Sequence, residues 1–148
     1  MLRRTFEQLE PYAPTILRVM FGIVFFLHGW AKLQNPAGFI GFVGSLGFPA
    51  PTIFGWVVIL LEFIGGLLMI IGLFTRPVAL AFAVEMLITT LVVKTGVGFI
   101  APQGAGAGAE LDLLLLAAST TLLILGAGEL SVDENVLGRR RMAERRMT

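Results

Sequence analysis

The fold of this chain is decided by residues 61–77, which read LEFIGGLLMIIGLFTRP. Most of this stretch is the end of a long apolar run, and only Thr75-Arg76-Pro77 separate that run from the next one. A connection this short joins two helices as an antiparallel hairpin. An acidic residue, Glu62, lies inside the first run rather than at its end. The stretch therefore predicts a membrane-embedded helical hairpin with a buried charge.

Apolar runs of similar length occur at residues 15–33, 54–74, 77–95 and 109–128. Each has about the ~20 residues that a helix needs to cross ~30 Å of hydrocarbon. Hydrophobic residues make up 56% of the chain and charged residues 14%, whereas soluble domains are roughly 45–50% apolar. We therefore predict an all-α protein, a four-transmembrane-helix antiparallel bundle formed by residues 15–128.

The segments that flank and connect these runs are shorter and more polar. Residues 1–14 are expected to form an interfacial segment interrupted by Pro11 and Pro14, and we predict that the first span is retained rather than cleaved as a signal peptide. Residues 37–46 are apolar but too short to span, so they predict an interfacial or re-entrant helix in the first extracytoplasmic loop, begun by Asn35-Pro36 and ended by Gly47. A Gly-Ala linker follows the third run, and residues 129–148 form a basic tail.

The basic residues predict the orientation in the membrane. If four spans alternate, one side receives Arg3, Arg4, Arg18, Arg76, Arg139, Arg140, Arg141, Arg145 and Arg146. Lysine and arginine accumulate on the cytoplasmic side of membrane proteins. Both termini are therefore predicted to be cytoplasmic, in the bacterial inner membrane.

Composition excludes several classes of function. There is no cysteine and only one histidine, so thiolate chemistry, iron–sulfur ligation and bis-histidine haem are excluded for this sequence. A formal net charge of +1, with the basic residues at the chain ends, gives no indication of nucleic-acid binding. A redox role would need a bound or diffusing carrier.

Ionisable residues recur inside the apolar runs. The candidates for ligand binding or proton relay are His28, Lys32, Glu62, Glu85, Glu110 and Asp112. A charge at the centre of a bilayer costs roughly 2.5–3.5 kcal/mol on insertion scales, so such residues usually face one another or a wet cavity. With alternating helix directions, all six are predicted to lie between the midplane and the outer surface.

Small residues indicate where helices approach closely. Gly65 and Gly66 share a helix face with Glu62, so that face is predicted to point inward. Arg18 lies on a stripe of the first run that also carries glycines, and Arg18 and Arg76 are assigned structural or topological roles. Lys94, near the end of the third run, is expected to extend toward the membrane surface instead of joining the cluster.

The buried charges have more than one interpretation. They are either structural ion pairs, such as Lys32 with Glu62 or Glu110, or the polar end of a pocket for a small polar or quinone-like ligand. Proton relay or transport through the same residues is a further alternative. No catalytic residue is assigned. No metal site is predicted, because the spacing of the ligand-type residues matches no recognised pattern.

Three stretches resemble the DoxX family of small bacterial membrane proteins: FFLHGWAKL (25–33), GFPAP (47–51) and EFIGGLLMIIGLFTRP (62–77). The similarity extends over residues 17–131 and includes a Leu-Ser-Val-Asp ending. The resemblance implies four spans, with His28, Lys32, Glu62, Arg76 and Glu85 at positions where the family tends to keep polar residues.

Members of that family include a small subunit of an archaeal thiosulfate:quinone oxidoreductase and a component of a mycobacterial membrane oxidoreductase complex. The resemblance therefore implies an accessory membrane subunit linked to redox or oxidative-stress handling, with quinone as the candidate cofactor. The expected partners are the lipid bilayer, a membrane oxidoreductase and further copies of the chain. A purely structural scaffold is the other interpretation.

Overall fold

A computed structural model of the protein describes residues 2–103 and 106–138, with side chains described within 6–103 and 106–136. Every regular element in these ranges is helical. The predicted Gly-Ala linker lies partly, and the arginine-rich end of the tail wholly, outside the described residues.

The helices follow one another in a simple order. They are α1 (Leu2–Leu9), α2 (Ala13–Gln34), α3 (Pro36–Ser45), α4 (Pro51–Ile71), α5 (Thr75–Gly96) and α6 (Ala109–Leu125), followed by a π-helical turn, Glu134–Gly138. In the described part of the chain, three helical stretches are long and apolar enough to cross a membrane, namely Phe6–Gln34, Pro51–Ile71 and Thr75–Gly96. Helix α6, with 17 residues, is shorter.

The prolines near the N-terminus lie where one α-helix ends and the next begins. A 3-10 turn, Glu10–Tyr12, carries the chain from α1 into α2, so helical winding continues from Leu2 to Gln34. Proline is tolerated there because the first turn of a helix has no internal acceptors for its N–H groups.

A capping side chain and two glycines set the boundaries of the next helices. The Asn35 side chain accepts a hydrogen bond from the Gly38 backbone N–H at 3.0 Å and caps α3. Gly47 has a φ of 81° just after α3, a left-handed conformation that glycine adopts without steric cost. Gly72 ends α4 in the same way, with a φ of 72°.

Four helices, α2, α4, α5 and α6, pack side by side. Helix α2 contacts α4 and α6, while α5 contacts α4 and α6. Helix α3 lies across this group against α4 and α2. The core between the long helices is formed by Phe21, Phe25, Met69, Ala79, Phe82, Met86 and Leu122. The Phe25 and Phe82 rings stack with their centroids 3.9 Å apart.

Glycines allow α2 and α4 to touch. A Cβ on Gly66 would lie 2.4 Å from the Phe26 backbone nitrogen, and one on Gly29 would lie 2.4 Å from that of Phe63. Gly65 faces another neighbour, because its Cβ would lie 3.1 Å from the Phe82 ring of α5. Small residues at such crossings permit the close packing that holds helices together in lipid.

The end of the bundle where α2 begins is closed by buried polar bonds. Arg18, 1% exposed, donates to the carbonyls of Met69, Ile70, Ala127 and Leu130. Asp133 accepts hydrogen bonds from the Phe74 and Thr75 backbone N–H groups at 2.9 and 2.8 Å and so caps α5. The segment after α6 is thereby tied to the α4–α5 hairpin.

Candidate functional site

The opposite end of the bundle contains a cavity of about 530 Å³. It lies where α2 ends, α4 begins, α5 ends and α6 begins, with α3 along one side. Most of its lining is apolar, and aromatic side chains contribute from several elements: Phe25, Phe39, Phe42, Phe48 and Phe54. Ligand cavities in proteins are typically ~300–1,000 Å³ and mostly apolar, with a few polar groups.

The central polar contact of the cavity joins α2 to α4. Lys32 Nζ lies 2.6 Å from Oε1 and 2.5 Å from Oε2 of Glu62, so the ammonium is shared by both carboxylate oxygens. Glu62 is buried, and Lys32 is partly exposed. The ammonium also lies 5.0 Å from the centroid of the Phe39 ring on α3, within the range of a cation–π interaction.

Glu62 lies in a π-helical turn, Leu61–Gly65, inside α4. Such turns insert one extra residue into an α-helix and often occur at functional sites. A second π turn, Thr89–Val93, occurs in α5, and both of its terminal residues line the cavity. No feature of the sequence indicated these turns.

Two further carboxyl groups lie at the same end of the cavity. Glu85 on α5 interacts with Glu62 and also with Lys32 and Asp112. Glu85 and Asp112 are 6% and 7% exposed, respectively, and both line the cavity. Neither Glu85 Oε2 nor Asp112 Oδ2 has a hydrogen-bond partner among the described residues. Three helices thus bring Glu62, Glu85 and Asp112 together around Lys32.

The remaining predicted residues are not part of this group of buried carboxyl groups around Lys32. His28 lines the cavity but its side chain is exposed. Glu110 is not part of the lining: its Oε1 accepts from the Gly108 N–H at 3.2 Å in the first turn of α6, where a negative charge is stabilised by the helix dipole. Arg76 is exposed and donates to the Ile124 carbonyl at 3.3 Å. No group of three or more histidine, aspartate or glutamate side chains is placed to hold a metal ion in the described part of the chain.

Lys94 is a lining residue that the sequence analysis assigned to the membrane surface. Its Nζ donates to the Ala107 carbonyl at 2.5 Å, in the connection that leads into α6, and the side chain is half-buried. Helical phase placed Lys94 away from Glu85, but the π turn before it changes that phase. The hydrogen bond to the Ala107 carbonyl could not be predicted, because a backbone acceptor in a loop has no sequence pattern.

A bundle of apolar helices with large hydrophobic side chains on its outer surface defines a multi-pass membrane protein. Residues 13–95 match the DoxX family. The chain is 38% identical over 118 residues to CatD of Bacillus subtilis (strain 168), provisionally named an oxidoreductase, a match that covers 80% of this chain and 82% of that protein. This chain belongs to the DoxX family.

Relatives in Escherichia coli (strain K12) agree with this assignment. The inner membrane protein YqjF is 30% identical over 128 residues, covering 86% of this chain and 94% of that protein. The inner membrane protein YphA is 26% identical over 133 residues, covering 86% and 93%. The chain is accordingly a multi-pass inner-membrane protein in contact with lipid. No solved structure matches it.

Proposed function

We propose that this protein is an accessory inner-membrane subunit that binds a small quinone-like molecule in the cavity between its helices. The observation that carries the proposal is the form of the cavity. Its walls are apolar and aromatic, and one end holds the Lys32–Glu62 pair with Glu85 and Asp112 beside it.

Each part of the cavity has a role in this proposal. The aromatic walls accommodate an apolar ring and tail, because burying apolar surface supplies most of the affinity in such sites. The polar end fixes the position of the ring substituents by hydrogen bonds. Helix α3 lies over the cavity through Phe39 and Phe42, so movement of α3 away from α4 would admit a ligand.

The redox part of the proposal rests on the relatives and on composition. One relative, CatD, is provisionally named an oxidoreductase. This sequence has no cysteine and one histidine, so electrons would have to travel on a bound carrier or through a partner protein. Membership of a membrane oxidoreductase complex satisfies that requirement. Further copies of the chain are the other candidate partners.

The proposal includes a topology of four spans. Helix α6 packs along α5 and α2, which supports its assignment as the fourth span despite its length of 17 residues. The arginine-rich segments then lie on the cytoplasmic side, with both termini, in agreement with the positive-inside rule. Residues 1–14 form an interfacial segment and residues 129–148 a basic cytoplasmic tail. The cavity lies in the extracytoplasmic half, with α3 as an interfacial or re-entrant helix.

A scaffold function is the second candidate, and the Lys32–Glu62 pair favours it. This pair joins α2 to α4 directly, as a purely structural bridge would. The two candidates differ in what a loss of the Glu62 charge does. Under the scaffold function it changes stability and assembly, whereas under the ligand function it also abolishes retention of a small molecule.

The test is mass spectrometry of the molecules that copurify with the protein from native membranes. We expect the wild-type protein to retain a ring compound with an apolar tail and Glu62→Gln to lose it. Glu110→Gln, a carboxylate change on α6 outside the cavity lining, is the matched control and should retain it. Equal small-molecule content in all three proteins, with lower thermal stability in Glu62→Gln alone, would support the scaffold instead.

A further inference from the structure

Among the buried side-chain polar atoms that line the cavity, those without a hydrogen-bond partner in the described part of the chain are carboxyl oxygens of Glu85 and Asp112. From these unpaired acceptors we infer that the cavity selects a ligand whose head donates hydrogen bonds, namely the dihydroxy, reduced form of a ring compound rather than its quinone. The inference rests on the proposed function, because it specifies the ligand of the same cavity.

Both ammonium groups that line the cavity already have partners, and the His28 side chain, which carries the ring-nitrogen donor of the lining, is exposed. The Lys32 ammonium donates to both oxygens of Glu62, at 2.6 and 2.5 Å. The Lys94 ammonium donates to the Ala107 carbonyl at 2.5 Å. A ligand that only accepts hydrogen bonds would have to share these two ammonium groups with their present partners, and it would leave the unpaired carboxyl oxygens without a donor.

The free polar atoms are carboxyl oxygens. Glu85 Oε2 and Asp112 Oδ2 are buried and have no partner among the described residues. Their side chains come from different helices, α5 and α6, and the two groups interact with each other. An ionised carboxylate only accepts hydrogen bonds; the acid form gains one O–H donor but keeps an accepting carbonyl oxygen, so both groups can accept a hydrogen bond from a ligand O–H in either state.

Formal charge supports the same conclusion. Three carboxyl groups, Glu62, Glu85 and Asp112, line the cavity with two ammonium groups, Lys32 and Lys94. An anionic head would meet this excess of acidic groups in a poorly solvated place, which is unfavourable. A neutral head with O–H groups supplies the missing donors without adding charge.

The oxidation state of the ring decides whether a ligand can donate hydrogen bonds to the two carboxyl groups. Both oxygens of a 1,4-benzoquinone are acceptors only, whereas the corresponding 1,4-dihydroxybenzene carries two O–H donors. Conversion of both hydroxyls to methyl ethers removes the donors while the ring and the two oxygens remain. Comparison of these three compounds therefore separates the effect of hydrogen-bond donation from the effect of ligand shape.

The experiment measures binding of decyl-substituted 1,4-dihydroxybenzene, its dimethyl ether and its quinone to the purified full chain by native mass spectrometry under argon. Loss of a hydrogen bond to a buried carboxyl group lowers affinity by about tenfold or more. We expect the dihydroxy compound to bind at least about tenfold more tightly than the other two. Asp112→Asn and Glu85→Gln should reduce this preference, while Glu110→Gln, the matched control, should keep it.

The outcomes separate this inference from the proposed function. Equal binding of all three compounds, or tighter binding of the quinone, would overturn the inference and leave the ligand function in place. Failure of all three to bind would contradict the proposed function itself. Because the comparison of compounds uses the wild-type protein, it stays decisive even if a variant fails to fold. Decylammonium is a fourth probe, and tighter binding of it than of the dihydroxy ring would also overturn the choice of a hydroxyl head.

Discussion

Lys32 on α2 and Glu62 on α4 form a bidentate ion pair. The Lys32 ammonium lies 2.6 and 2.5 Å from the two carboxylate oxygens of Glu62, which is thirty residues further along the chain. The pair lies beside two other carboxyl groups and forms one end of an otherwise apolar cavity. It therefore contributes both to helix packing and to the character of the proposed site.

Breaking this pair on one side should destabilise the protein more than removing it altogether. Removing one partner of a buried pair leaves an unpaired charge, at a cost of about 3–5 kcal/mol. We expect Lys32→Met and Glu62→Leu each to lower the midpoint of thermal unfolding in detergent, and the double variant to recover much of the loss. Additive losses in the double variant would show that the two side chains are not coupled.

The glycine contacts between α2 and α4 predict a second, steric effect. Gly66→Ala places a methyl group 2.4 Å from the Phe26 backbone nitrogen, and overpacking of this kind costs roughly 1–3 kcal/mol or more. We expect reduced thermal stability and yield. The matched control is Gly41→Ala on α3, where an added Cβ meets nothing within 4 Å. Equal behaviour of the two variants would contradict the close packing of these helices.

The Arg18 contacts predict a large loss of stability when this side chain is replaced. Arg18→Met leaves several buried carbonyls without a donor, each worth about 1 kcal/mol or more, so the free energy of unfolding should fall by at least about 3 kcal/mol. Arg18→Lys should lower the free energy of unfolding by a smaller amount, because an ammonium keeps the charge but lacks the planar fork of donors. The readout is thermal unfolding together with limited proteolysis after α6.

Arg76→Met serves as the control for Arg18. Arg76 is exposed and makes one hydrogen bond to a carbonyl at 3.3 Å, so its change should alter stability by no more than about 0.5 kcal/mol. A similar loss in the Arg76 and Arg18 variants would refute the assignment of Arg18 as the residue that holds the segment after α6.

The proposed topology predicts the location of three fusion points. Green fluorescent protein at either terminus should fluoresce, because both ends are cytoplasmic, while alkaline phosphatase fused after Gln103 should be active on the opposite side. If α6 does not span, the C-terminal fusion and the Gln103 fusion will report the same side.

Much of the helical framework could be predicted from the sequence, because membrane-spanning helices require long apolar runs and their ends carry recognisable capping residues and glycines. The Asn35 cap and the Gly47 end were both predicted from local patterns. A short connection before α5 was also predicted, but it lies at residues 72–74, and Thr75-Arg76-Pro77 form the first turn of α5 instead. Helical phase and alternating direction also gave reasons for grouping Lys32, Glu62 and Glu85, which the structure places in contact.

Other parts of the site depend on contacts that leave no local pattern. The π turn around Glu62 has no signal in the local sequence, and its extra residue shifts the direction of every later side chain in α4. The bond between Lys94 and the Ala107 carbonyl joins a helix end to a loop with almost no side chains. Glu110 was grouped with Asp112 by proximity in sequence, but one side chain faces the helix start and the other faces the cavity.

Photo-crosslinking in membranes tests the central claim, that the cavity is the ligand site, most directly. A decyl-substituted dihydroxybenzene with a diazirine on its tail would be activated, and the labelled peptides would be identified by mass spectrometry. We predict labels on cavity residues such as Phe39, Val58 and Ile88, and competition by the unlabelled compound. Labels confined to outward-facing residues such as Ile16 and Leu80, without competition, would contradict the account.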